Sequence, residues 1–214
     1  LSQEEDSDLQ AVTQFLQPFY EITNILSGST YITLGLSALL MDDIIDVISS
    51  YIQDSSSFQF LKTAAIQMIE KLNQYIDYIY DKAAFIASIL DSRIKLELIP
   101  VNMNTPENQN YFSQIFQEYS DPTDELTKYL NEATLPININ PLEWWKLNSF
   151  HFPVMSQMVK DFFAIQATSV PSEQIFSKAG DTIWAKYARF SEKSVQSLMY
   201  TSSWLEHGIK FHKD

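Results

Sequence analysis

The sequence predicts an all-α, mainly helical protein, and three observations carry that expectation. Apolar residues recur at i, i+3, i+4 and i+7 through most of the chain, the spacing of one face of a helix. Only four glycines occur in 214 residues, too few for a turn-rich β architecture. Hydrophobic residues make up 45% and aromatics 14% of the composition, which excludes a disordered chain and supplies a sizeable core, as one larger domain or two small ones.

The elements follow in order. Residues 1–8 are polar and acidic, and Asp6 or Ser7 is placed to cap a helix beginning near Leu9, whose apolar residues Val12, Phe15, Leu16, Phe19, Ile22 and Leu26 share one face, with Gly28 closing it. A second helix is expected over about 32–52. Its apolar positions nearly cover two faces, as in a central helix packed on several sides. The polar run 54–57 breaks the pattern, and a third helix is expected over about 58–80. Short polar joins between amphipathic helices predict antiparallel packing in a bundle. A short apolar helix spans 83–90 and ends at Asp91. Thr105-Pro106 and Asp121-Pro122 are start signals for helices around Tyr111–Tyr119 and Leu126–Leu130. Pro136 and the alternation Ile137-Asn138-Ile139-Asn140 favour an extended link, so the division is set at 1–135 and 136–214.

Beyond the link, Asn140 caps a helix with Pro141 at its first position, and Pro153 opens a second with Val154, Met158, Phe162 and Phe163 on its core stripe. Ser169 or Ser172 caps a third, with Pro171 near its start, Glu173 in its first turn, Ile175 and Phe176 as anchors, and Gly180 as a left-handed end. The last helix begins after Ser191 and runs to about Ile209.

The formal charge of −13 is unevenly spread. Residues 1–140 carry six basic and twenty acidic residues, whereas 141–214 carry eight basic and seven acidic. Phosphate backbones are bound by clustered Lys and Arg, so the first part is unsuited to holding DNA unaided and the second offers no basic stripe. With no cysteine, disulfides and thiolate metal sites are excluded and a reducing compartment is implied. The three scattered histidines make no zinc ligand set. No apolar run reaches the roughly 18 residues of a membrane span, and LSQEEDSD is not a signal pattern. With Leu at its first position rather than Met, the chain is expected to be a fragment or a processed product.

Residues 140–190 hold a run of unusual short motifs in fixed order: Trp144-Trp145, FPVMSQMVKDFFAI, ATSVPSE, FSKAG, and Lys186 with Arg189. This order resembles the C-terminal dimerisation region of hAT-type (hobo/Ac/Tam3) transposases. Upstream, LQPF at 16–19, LSG at 26–28, YITL at 31–34 and ILDSRIK at 89–95 are similar to the helical insertion that precedes that region. The resemblance implies a bundle of insertion-domain type followed by C-terminal helices that complete an RNase H-like core. It also implies a homodimer, nuclear localisation, and a parent protein that binds DNA.

By that resemblance, Glu173 is the last of three carboxylates that hold two Mg²⁺ or Mn²⁺ ions in an active parent. Two-metal phosphoryl transfer needs clustered hard oxygen ligands, and one carboxylate cannot supply them. The other two aspartates of the family lie upstream of the insertion, so this chain is expected to need no cofactor and to catalyse nothing alone. Glu173 also has a plainer reading as a first-turn acid favoured by the helix dipole. Gln174 stands where the family usually has Arg, and Lys186-Tyr187 where it tends to have Lys-Arg. Trp145, Phe162, Phe176, Leu198, Trp204 and Leu205 are the expected dimer interface, and Lys186 and Arg189 the candidate nucleic-acid contacts. Trp144-Trp145 are read as packing residues rather than a base-stacking platform, since neighbours on a helix point about 100° apart. His151 is read as packed or hydrogen-bonded, and Asp42, Asp43 and Asp46 as a solvated acidic face. In the 91–93 turn, Asp91 is expected to cap and Arg93 to pair with a neighbouring acid. The function implied is dimerisation and support of a transposition core. The alternative is an acidic helical protein-interaction module of a transposase-derived protein that no longer transposes.

Overall fold

Ser2 opens the first helix with a reciprocal capping box. Its hydroxyl accepts the Glu5 amide at 3.2 Å while the Glu5 carboxylate accepts the Ser2 amide at 2.7 Å. Helix α1 therefore spans Gln3–Leu26, starting earlier than the expected Leu9 because this cap precedes Asp6 and Ser7. Pro18 lies inside it; the helix continues past the lost amide. In this computed structural model the described residues are 2–28, 31–55, 57–119, 124–174, 177, 191–206 and 208. They form two compact units, Leu1–Ala167 and Thr168–Asp214.

The first unit continues with α2 (Leu34–Gln53), α3 (Gln59–Asn73) and the short α4 (Ile76–Ile79). The single helix expected over 58–80 is interrupted because Gln74 and Tyr75 donate to Lys71 and Leu72, three residues back, which tightens and ends the turn. Phe15 and Ile22 of α1, Ile44 and Ile48 of α2, and Leu61 and Ala65 of α3 make one core, with Phe15 edge-on to Tyr51 at 4.8 Å.

A second and larger core forms around α5 (Lys82–Leu90) with α6 (Pro106–Tyr119), α7 (Glu125–Asn131), α8 (Pro141–Asn148) and α9 (Pro153–Phe162). Ala84 to Leu90 are all buried, so α5 has no solvent face beyond its first two residues. Helix α2 reaches this core through Ala38, and its start lies against α5. A Cβ on Gly35 would come within 2.9 Å of the Ala87 carbonyl oxygen, and the Ser88 hydroxyl donates to the Gly35 carbonyl at 2.8 Å. Gly28 has no left-handed backbone; its missing side chain leaves room for the Tyr31 ring, whose hydroxyl donates to the Ile25 carbonyl at 2.6 Å. Residues on both sides of position 135 share the larger core: Trp145, Phe152, Met155 and Met158 pack with Phe85, Leu90 and Phe112.

In the second unit, residues 170–174 are helical and α10 spans Glu192–Glu206, with the Ser191 hydroxyl accepting the Ser194 amide at 3.3 Å. The starts expected at Asp121-Pro122, the end at Gly180 and the anchors Ile175 and Phe176 lie outside the described residues. All regular structure among the described residues is helical, as the periodicity predicts.

Candidate dimerisation region and its anchoring turn

A helix leaves its last four carbonyls without internal partners, and for α5 every one of them is accounted for. The Asp91 amide donates to Ala87 and Ser88 at 3.0 and 3.2 Å. The Tyr129 hydroxyl lies 2.9 Å from the Ile89 oxygen and 3.1 Å from that of Leu90, which also accepts the Trp145 indole N–H at 2.8 Å. Residues 89–95, the ILDSRIK motif, thereby join α5 to α7 and α8.

The turn is held from within by Asp91 and Arg93. Asp91 is wholly buried, and its Oδ1 accepts both the Arg93 amide at 3.0 Å and Nε at 2.9 Å, while Oδ2 accepts Nη2 at 2.6 Å. The acid expected to cap and the acid expected to pair with Arg93 are one residue. The Ser92 carbonyl accepts the Leu135 amide at 2.9 Å, and Arg93 Nη1 reaches the Ile137 carbonyl at 3.4 Å, so the link after α7 is strapped to the turn. Lys95 has a left-handed backbone (φ 49°) and is buried. Its ammonium donates to the Tyr129 and Glu132 carbonyls at 2.7 and 2.6 Å, at the negative end of α7, and sits 4.4 Å from the centre of the Tyr129 ring. Burial lowers its pKa below the usual lysine value, opposed by Glu132 and Glu97. The Tyr129 phenol is pushed well upward, first by burial and then by Asp91 and Glu132.

Helix α8 begins as its sequence dictates, the Asn140 side chain accepting the Leu142 amide at 2.9 Å ahead of Pro141. Helix α9 begins at Pro153 with Phe152 in the capping position, which has no side-chain acceptor to offer. The acceptor comes from α7: buried Glu125 takes the Met155 amide at 2.7 Å and the Val154 amide at 3.3 Å. The composition of α9 shows that a cap is missing, but only the fold shows that Glu125 supplies it. Tyr119 of α6 donates to Asp161 of α9 at 2.6 Å, and this bond, reinforced by burial, pushes its phenol to about 12.

The expected interface residues separate. Trp145 is a core residue of the first unit, because its indole N–H is taken by Leu90 and its ring packs on Tyr129 and Phe152. Only 3% of its surface is exposed. Phe162 is half-buried against the same core. Leu198, Trp204 and Leu205 on α10 are 39%, 43% and 61% exposed, with Tyr200 stacked on Trp204. Phe176, Lys186 and Arg189 lie outside the described residues. Trp144 is half-buried and stacks on Phe152, consistent with packing. His151 is exposed beside Phe150. Asp43 and Asp46 are exposed, but Asp42 is half-buried and accepts the Tyr80 hydroxyl; burial first, and then that bond, raise the Tyr80 phenol. The acidic face is thus not wholly solvated.

Glu173 is exposed. Its amide donates to the Ser169 carbonyl at 2.9 Å, and its carboxylate accepts the Ser169 hydroxyl at 2.5 Å. Among the described residues no group of three His, Asp or Glu is gathered to hold a metal ion. A single surface carboxylate bonded to a serine does not fit a two-metal set, and no metal-dependent step is derived from it.

A helical chain with no described strand, an anchoring turn that binds two sequence halves and a helix, α10, with exposed large apolar side chains is the architecture on which the comparisons with known proteins fall. The family described as "hAT-like transposase, RNase-H fold" matches residues 39–130, all of whose described regular elements are helices. The "hAT family C-terminal dimerisation region" matches residues 125–205. The chain belongs to the hAT transposase superfamily. Among its relatives is the "Putative AC transposase" of Zea mays, 24% identical over 250 residues covering 91% of this chain and 31% of the relative. The "Zinc finger BED domain-containing protein RICESLEEPER 3" of Oryza sativa subsp. japonica is 36% identical over 104 residues, covering 45% of this chain and 14% of the relative. The chain thus corresponds to under a third of the length of the maize relative. No described helix is long and apolar enough to cross a membrane.

Proposed function

We propose that this chain is the dimerisation-bearing part of a hAT-type transposase or of a protein derived from one. Residues 1–135 act as the insertion-like region and 136–214 as the region that joins two copies. The single observation that supports this most is the apolar surface of α10: Leu198, Trp204 and Leu205 stay exposed inside the stretch matched by the dimerisation family. Covering a further 400 Å² of such surface is worth roughly 10 kcal/mol before the entropy of association is subtracted.

DNA is handled in this reading by the longer protein, in the nucleus, with Lys186 and Arg189 as its nearest contacts on this chain. Glu173 contributes to an Mg²⁺ or Mn²⁺ site only together with carboxylates from outside these 214 residues, and the chain alone neither cleaves DNA nor binds it tightly. Nanomolar gel-shift binding to random duplex at about 150 mM salt would contradict that part. The second reading, a protein-interaction module that no longer transposes, is favoured by Gln174 and Tyr187, which stand where cations are usual in the family. Replacing Leu198 with Asp tests the dimer: the expected outcome is a monomer with unchanged helicity by circular dichroism, and a dimer that survives the change refutes the α10 assignment.

A further inference from the structure

The groove between α8 and α9 gathers features that the fold itself does not use. It encloses about 490 Å³, and Trp145 forms part of its floor. Read outward from the 149–152 turn, its two walls carry the same order: Ser149, Lys146 and Leu142 on α8 and its C-cap, and Ser156, Lys160 and Phe163 on α9 and its C-cap. Each wall therefore presents a hydroxyl, then an ammonium, then an apolar side chain. The lining contains no carboxylate, and neither lysine has an ion-pair partner among the described residues. Ser156 is 8% exposed and its hydroxyl has no hydrogen-bond partner among the described residues, an arrangement that costs free energy unless something else meets it.

Helix α1 of the same compact unit carries the complementary face. Phe15 and Ile22 are turned into the core, while Leu9, Leu16 and Tyr20, at i, i+7 and i+11, are 55%, 47% and 66% exposed. Glu5 and Asp6 extend that exposed face by one turn toward the amino terminus. We propose that the α8–α9 groove receives the outer face of α1 from a second copy of this chain. With Leu9 at the Leu142–Phe163 end, Glu5 and Asp6 lie three to four residues back, about 5–6 Å along the helix. The lysines stand at the same spacing from the apolar ends of both walls. A two-fold pair makes this contact twice, and each time sets the acidic part of one chain against cations of the other rather than against its own like.

The inference rests on the dimer reading above and adds to the α10 contact a second one, between α1 of one copy and the α8–α9 groove of the other. The test is light scattering of the whole chain as a dilution series, for the wild type, K146E/K160E, E5Q/D6K and the combination K160E/D6K. Glu5 is changed to Gln because Gln retains the capping box. The expected result is a dimer dissociation constant at least about tenfold higher for each double variant, since both charges are altered in a contact made twice, and recovery of most of that loss in K160E/D6K. Raising salt weakens the wild-type dimer in the same direction. A dimer indifferent to all three variants overturns the inference and leaves the dimer reading standing. Sensitivity to the groove variant but not to the α1 variant also overturns it, showing that another segment or another protein fills the groove. A wild type that stays monomeric, with no binding of a labelled peptide of residues 2–24 to the groove, overturns both. Circular dichroism confirms that each variant is folded.

Discussion

Helices α5 and α10 both carry large apolar side chains, yet those of α5 are buried and several of those of α10 are exposed. Seven consecutive residues of Lys82–Leu90 are buried, and the carbonyls at its end are claimed by Asp91, Tyr129 and Trp145. Glu192–Glu206 leaves Leu198, Tyr200, Trp204 and Leu205 exposed. A helix whose orphaned carbonyls are met from two other helices is committed to one place in the protomer, whereas exposed apolar side chains offer surface that a partner can cover.

The largest way to break the α5 side is at Trp145. Replacing it with Ala removes a buried indole and leaves the Leu90 carbonyl to Tyr129 alone, which is expected to cost about 4 kcal/mol in urea unfolding. Lys95→Met comes next: two carbonyls at the end of α7 lose a charged donor, at about 3 kcal/mol, offset in part by relief from burying the ammonium. Glu125→Ala uncaps α9 and is expected to cost about 2 kcal/mol, with Glu125→Gln milder because one acceptor survives.

A pH series extends the same comparison, since among the described residues the shifted groups Tyr80, Tyr119, Tyr129 and Lys95 all lie in the first unit. The three tyrosines hold their protons more tightly folded than unfolded, so their contribution is complete below about pH 10 and is lost as pH rises through the raised folded values, about 12 for Tyr119. Lys95 has the opposite sign: its folded pKa is depressed, the unfolded chain binds the proton more readily, and stability rises with pH until about 10.4. Urea midpoints are therefore expected to rise slightly as pH approaches about 10 from below and to fall beyond it. Lys95→Met removes the rise, and Tyr129→Phe lessens the fall.

Local signals in the sequence placed most helix starts. Asn140-Pro141, Pro153, Thr105-Pro106 and Ser191 announce their helices because a cap or a fixed φ is a property of two or three adjacent residues. The capping box at Ser2 and Glu5 was equally legible in its spacing, though Asp6 and Ser7 compete with it. What could not be read were bonds between residues far apart in sequence. Glu125 capping α9, Lys95 closing α7 and the Leu90 carbonyl joining Tyr129 to Trp145 all follow from how the helices pack. The tryptophans show the limit most directly. Trp145 and Trp204 look alike in composition, and the fold is needed to show that the first is held in the core by the Leu90 carbonyl and by the Tyr129 and Phe152 rings.

The smallest expected effect on stability, and the largest on assembly, belongs to α10. Leu198→Asp or Trp204→Asp should change unfolding free energy by less than about 0.5 kcal/mol, as surface substitutions usually do. Light scattering coupled to size exclusion on the unaltered chain at tens of micromolar tests the account most directly. The account predicts a mass twice that of the 24.7 kDa chain, falling to 24.7 kDa in Leu198→Asp. A single-chain mass for the unaltered protein at that concentration would contradict it.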